Sequence, residues 1–105
     1  MRLIETAIFT RQVIAALPDD SYRALQAALV DRPDVGTLIP GSGGLRKVRW
    51  QLPGRGKLGG VRVIYYWAIR HDTILFLFLY PKNVQAGLSA RQLRELRRII
   101  KREYP

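Results

Sequence analysis

Three stretches with strand periodicity follow one another between residues 45 and 80, joined by short links. Leu45 to Leu52 alternates, with Val48, Trp50 and Leu52 on one face and Lys47, Arg49 and Gln51 on the other. Val61 to Ile69 alternates again. Val61, Val63, Tyr65, Trp67 and Ile69 share one face, and Arg62, Ile64 and Tyr66 share the reverse. Ile74 to Tyr80 is apolar throughout, the pattern of a central strand covered on both sides. Parallel neighbours need a long crossover between them, so these three strands are expected to form an antiparallel meander.

The flanking segments read differently. Leu3 to Phe9 predicts a first strand, and Thr10 is placed to cap a following helix that Pro18 interrupts. Asp19 or Asp20 starts a second helix, to about Val30, with Tyr22, Leu25, Ala28 and Leu29 in one apolar stripe. Arg32-Pro33 ends it, because the residue before proline disfavours helix. Residues 33 to 44 read as a loop, and Pro53 to Gly60 as a Gly-rich turn. Arg70 to Thr73 reads as a hairpin turn. Ser89 caps a last helix to about Tyr104, apolar at Leu93, Leu96, Ile99 and Ile100. The order β-α-α-β-β-β-α predicts an α+β fold. It has a mainly antiparallel four-stranded sheet, two N-terminal helices packed on one face, and a C-terminal helix. The face bearing Lys47, Arg49 and Arg62 is expected to be open. The 105 residues suit one domain, 1–105, that buries roughly two thirds of its unfolded surface.

Charge narrows the function. The chain carries 18 Lys plus Arg against 8 Asp plus Glu, a formal net charge of +10. No acidic residue lies between Asp34 and Asp72, whereas Arg46, Lys47, Arg49, Arg55, Lys57, Arg62 and Arg70 do. Such a domain is expected to meet nucleic acid, an acidic protein or an anionic membrane. A hydrophobic content of 48% excludes a disordered polycation. The absence of cysteine excludes disulfides, thiolate zinc sites and a cysteine nucleophile. A single histidine excludes a His-based metal site and a two-histidine ribonuclease mechanism, so no metal or cofactor is expected. Met1 to Phe9 is broken by Arg2 and Glu5 and lacks a signal-peptide core. Ile74 to Tyr80 is too short to span a bilayer. A cytoplasmic protein without a membrane partner is expected.

Two motifs mislead. Gly54-Arg55-Gly56-Lys57-Leu58-Gly59 matches G-x-G-x-x-G, but a dinucleotide site needs a helix after it, and here a strand follows. It reads as a hairpin loop whose Arg55 and Lys57 suit a polynucleotide backbone. His71-Asp72 falls in a turn with no nucleophile near it in sequence, and reads as solvated. The last helix carries Arg91, Arg94, Arg97, Arg98, Lys101 and Arg102, a basic exterior that faces solvent or a partner. The stronger constellation is Lys47, Arg49 and Arg62 on adjacent strands, with Tyr66, Tyr80 and Lys82 at the edges. Cations pre-ordered on a sheet can stabilise a phosphate-centred transition state. Crowded cations also lower a lysine pKa, which suits a lysine base. The tyrosines can stack on a base or hydrogen-bond a phosphate. Nucleic-acid binding without chemistry fits the same residues.

Three segments carry a family resemblance: Gly43-Gly44-Leu45-Arg46-Lys47-Val48-Arg49-Trp50, Gly56-Lys57-Leu58-Gly59-Gly60-Val61-Arg62-Val63-Ile64-Tyr65-Tyr66, and Leu79-Tyr80-Pro81-Lys82-Asn83. The chain resembles the RelE superfamily of bacterial toxins, closest to its HigB-like branch, nearly end to end. The resemblance implies a toxin of a type II toxin–antitoxin system. Such toxins are mostly ribosome-dependent endoribonucleases that cut mRNA in the A site and halt translation. The 2′-hydroxyl attacks its own 3′-phosphate, without metal. By position, Lys47 and Arg49 match the family's cationic pair, Arg62 its next-strand arginine, and Lys82 the basic residue after the last strand. Arg46, Arg55, Lys57 and Tyr66 are expected to bind RNA nearby. Where the RelE pattern has an arginine beside that lysine, this chain has Asn83. Tyr104 is not a secure match for the pattern's C-terminal tyrosine, and Tyr80 or Tyr66 is expected to substitute. The implied partners are the ribosome, mRNA and an antitoxin, often with a helix-turn-helix domain through which the complex binds operator DNA. Two alternatives remain: a ParE-like toxin that binds DNA gyrase, and a degenerate toxin that retains only antitoxin or RNA binding.

Overall fold

The computed structural model describes residues 1–52 and 60–105. The G-x-G-x-x-G motif, with Arg55 and Lys57, lies outside the described residues. The first strand, β1 (Arg2–Glu5), is shorter than its apolar run because Thr6 turns the chain into α1 (Ala7–Ala16). The Thr6 hydroxyl accepts from the Phe9 amide at 3.2 Å, so the cap sits four residues before the expected Thr10. Thr10 instead donates to the Glu5 carboxylate at 2.6 Å. In α1, Phe9 and Val13 are buried one helical turn apart. Two acids, Asp19 and Asp20, open α2 (Asp19–Asp31), where they complement the helix dipole.

Part of the expected loop is a strand, β2 (Thr37–Leu38), which pairs with β3 (Leu45–Trp50) through Thr37↔Lys47 and Leu38↔Arg46. Two residues are too few to leave a period in the sequence. The connection between β2 and β3 passes through Gly41, Gly43 and Gly44, at φ of 69°, 76° and 112°, which side-chain-bearing residues rarely adopt. After β4 (Val61–Ala68), a 3-10 turn over Ile69–His71 and Asp72 at φ 48° lead into β5 (Thr73–Pro81). Ser89 and Gln92 form a reciprocal capping box at the start of α3 (Ala90–Glu103).

The sheet has five strands in the order β1-β5-β4-β3-β2. It is mixed, because β1 runs parallel to β5, from Arg2↔Thr73 to Glu5↔Phe76. The meander β3-β4-β5 is antiparallel, as expected. The expected four-stranded sheet therefore gains β2 at one edge.

The sheet is covered on both faces. On one, Phe9, Val13, Leu17, Leu25 and Leu29 of the first helical pair and its connection pack on Val61, Val63, Tyr65, Ile74, Phe76 and Leu79. On the other, Leu96 and Ile100 of α3 pack on Leu45, Ile64, Leu75, Leu77 and Tyr80. The face expected to be open is thus partly closed. The apolar stripe of α3 must leave water, and α1 and α2 already occupy the reverse face. Burying Leu96 and Ile100 stabilises the docking by roughly 1.5–3 kcal/mol each.

The ladder between β4 and β5 slips by one residue. Ile64 opposes Phe78 and Tyr65 opposes Phe76, which leaves Leu77 as the extra residue of a bulge. Before it, Ile74 and Phe76 face α1 and α2; beyond it, Leu79 does. The bulge thereby turns Tyr80 toward α3.

Candidate active site

Arg49, Arg62 and Tyr80 form a row across three strands, through Arg49↔Arg62 and Arg62↔Tyr80. The Lys82 amide donates to the Gly60 carbonyl at 3.1 Å, which carries the β4–β5 ladder beyond the strand and sets Lys82 beside this row. Arg49, Gln51, Arg62 and Lys82 line a depression of 360 Å³. Arg49 and Lys82 are exposed at its rim. Arg62, in the central strand of the meander, is only 8% exposed.

Arg62 is electrostatically unanswered. Among the described residues its guanidinium takes part in no ion pair and no hydrogen bond, and its cross-strand neighbour is another arginine. Buried arginines are ordinarily paired. Its other neighbour, Tyr80, is 2% exposed, and its phenol has no hydrogen-bond partner among the described residues. Burial raises the Tyr80 pKa, and the Arg62 charge opposes that rise. The phenol therefore stays a donor at neutral pH. Arg62 lines the cationic depression and the Tyr80 phenol lies buried behind it on the next strand, neither with an acceptor among the described residues. A phosphate supplies the acceptor oxygens that both lack.

The other expected residues fall elsewhere. Lys47 shares the face of Arg49 and Arg62 but lies opposite Ile64, two residues further along β3, and does not line the depression. Arg46 is on the opposite face. It pairs with Tyr65, and its Nη1 donates to the carbonyls of Asp34 at 3.1 Å and Gly36 at 2.8 Å. The Tyr65 hydroxyl donates to the Pro33 carbonyl at 2.7 Å and accepts from the Gly36 amide at 2.9 Å. Arg46 thus clamps the 34–36 segment, on the face opposite Lys47, as strand alternation requires. Tyr66 lies opposite Leu45, at the other end of β4 from Arg62, and stacks on Tyr104 with ring centroids 5.6 Å apart. Gln51 was not singled out among the candidates, although its parity with Lys47 and Arg49 marks it. Among the described residues no helix is long and apolar enough to cross a membrane.

The family model described as "RelE toxin of RelE / RelB toxin-antitoxin system" matches residues 1–104. The chain belongs to the RelE toxin family. Membership implies an antitoxin partner. Among solved structures, this RelE-family toxin is similar to a double arginine-to-alanine mutant of E. coli toxin RelE in the free state. The TM-score is 0.60 at 13% identity, over 96% of this chain and 95% of that one. That likeness shows the α+β fold.

Proposed function

We propose that this RelE-family toxin, of the HigB-like branch, is a ribosome-dependent endoribonuclease of the cytoplasm that cleaves mRNA in the A site. The observation that carries the reading is Arg62, nearly buried and without an anionic partner among the described residues, between exposed Arg49 and the Tyr80 phenol, likewise without a partner among them. A stably folded protein holds a cation this way where an anion completes the site.

The chemistry follows from the groups present. The 2′-hydroxyl attacks the adjacent phosphorus, the bond to the 5′-oxygen breaks, and a 2′,3′-cyclic phosphate and a 5′-hydroxyl result. Arg49 and Arg62 hold the scissile phosphate and offset the charge that grows on its oxygens. Lys82 adds a rim cation. Tyr80, kept protonated by burial, donates to a phosphate oxygen or to the departing 5′-oxygen. Lys47 takes the 2′-hydroxyl proton or stabilises charge from further along the same face. Lys, Arg and Tyr suffice for this sequence of steps, so the reading is metal-independent.

Arg55 and Lys57 contact RNA backbone in this reading, and Tyr66 contacts a base. The partners are the ribosome, mRNA and an antitoxin with a helix-turn-helix domain, through which the complex binds operator DNA. Induction followed by primer extension on mRNA tests the proposal. Discrete cuts within translated codons, lost in Arg62→Ala, are expected. Intact mRNA with damaged DNA would instead indicate gyrase poisoning, and intact translation a toxin without activity.

A further inference from the structure

We infer that the cleft at the far end of β4, under the C-terminus of α3, is a stacking site for one base of single-stranded RNA. This deepens the reading above and rests on it. The cleft has a volume of 340 Å³ and is lined by Tyr66, Trp67, Arg70, His71 and Tyr104, among others. Three of these rings are in contact, one pair stacked and the other tilted. Tyr104 lies between Tyr66, at 5.6 Å and 30°, and His71, at 5.0 Å and 49°. Tyr66 and Tyr104 are half-buried, whereas His71 is exposed. An exposed ring beside two others can stack on any base, since every base has a π-face.

Charge selects nucleic acid for this cleft. Arg70 is exposed on its wall and has no ion pair among the described residues. Burial raises the Tyr104 pKa, the Glu103 carboxylate adds to the rise, and the nearby Arg2 charge opposes it. The acids near the cleft are already engaged: Asp72 lies 3.4 Å from the Met1 ammonium, and Glu103 lies 3.4 Å from the Arg102 guanidinium. Cations beside aromatic rings form the composition of a single-strand site.

The cleft is also on the correct side of the sheet. Tyr66 and Arg62 share a face of β4, four residues or about 13 Å apart. Ile64 between them is buried under α3, so a strand whose phosphate sits at Arg62 passes around the helix to reach these rings with a later nucleotide. Holding the end of α3 needs only the contact of Tyr66 with Tyr104. It does not call for the exposed third ring or for Arg70.

The test is fluorescence anisotropy of the full chain at low salt with a labelled, uncleavable 2′-O-methyl hexanucleotide. His71→Ala is expected to weaken binding about tenfold, and His71→Phe to restore it, because the base needs a ring. Placing an abasic residue at successive positions is expected to find one at which the wild-type chain and His71→Ala bind alike. Thermal melting of His71→Ala is expected to match the wild type. Unchanged affinity in both His71→Ala and Arg70→Ala overturns the site. So does equal weakening at every abasic position, or a loss that follows a lowered melting temperature. Polyglutamate binding weakened as much as RNA binding would show a protein-docking surface and also overturn it. The two readings separate cleanly. Arg62→Ala abolishing cleavage while His71→Ala binds normally removes only the stacking site. An active Arg62→Ala beside a weakened His71→Ala removes only the proposed active site.

Discussion

Arg62 and Tyr80 oppose each other on β4 and β5 because the ladder slips one residue at Leu77. Without the slip, Tyr80 would share the parity of Ile74 and Phe76 and point at α1 and α2. With it, a buried phenol meets the largely buried Arg62 side chain at one end of the meander, and neither has an acceptor among the described residues. The bulge is therefore a device that re-aims a side chain, a recurrent use of such irregularities next to active sites.

This arrangement sacrifices stability at Arg62. Replacing it with methionine removes a cation from a largely buried position and keeps the volume of its stem. Arg62→Met is expected to raise the melting temperature by about 4–8 °C, the shift that goes with roughly 1 kcal/mol in a domain of this size. Cleavage in a ribosome assay is expected to fall by about 10²–10³-fold, as for loss of one preorganised charge donor. Arg62→Lys is expected not to restore it, because an ammonium lacks the planar fork. A variant both less stable and fully active would contradict the assignment.

Tyr80→Phe separates the phenol from the ring. The hydroxyl makes no hydrogen bond among the described residues, so its removal takes nothing from the fold and relieves a buried donor. Denaturant unfolding of Tyr80→Phe is expected to show unchanged or higher stability, with the same m-value. Cleavage is expected to fall at least tenfold if the phenol donates to the phosphate or to the leaving oxygen.

Alkaline pH probes the buried phenols together. Burial raises the pKa of Tyr22, Tyr65 and Tyr80 above the ordinary 10.0, and at Tyr22 the Glu5 carboxylate, which accepts the phenol's hydrogen bond at 2.5 Å, adds to the rise. Their contribution to stability is complete below pH 10, where both folded and unfolded phenols are neutral. Above pH 10 the unfolded chain ionises first, and stability falls as pH rises toward the folded values. Melting temperatures measured from pH 8 to 11 are expected to stay level and then decline. Tyr22→Phe is expected to make the decline shallower.

Alternation made much of the site legible. The parity of 45–52 and 61–69 places Arg49 and Arg62 on one face, and the register makes them direct neighbours. Three features lay beyond that reading. The bulge falls inside an all-apolar run, where an extra residue changes no polar marker, so the face reached by Tyr80 is a property of the ladder. The pairing of β1 with β5 joins segments some 70 positions apart with no local signal. The covering of the Tyr80 face by α3 follows from which sheet face α1 and α2 leave vacant, a decision made in packing. The cap at Thr6 was missed for a local reason: Phe9 continues the apolar run of β1 although it belongs to the buried stripe of α1.

Arg46 is the sharpest case of one residue's shift in parity deciding a role. It precedes Lys47, yet it turns to the reverse face and donates twice to the 34–36 backbone beside Tyr65. Hydrogen bonds from a charged donor typically contribute about 1.5–3 kcal/mol when shielded, and partial exposure places this pair toward the lower end. Arg46→Ala is expected to lower unfolding free energy by roughly 1–2 kcal/mol while cleavage per folded molecule stays at the wild-type level. Arg49→Ala is expected to do the reverse, since Arg49 is exposed and has no ion pair among the described residues. Urea melts and a ribosome cleavage assay on the same two preparations check the crossing. Arg46→Ala losing cleavage without losing stability would support Arg46 as an RNA-binding residue.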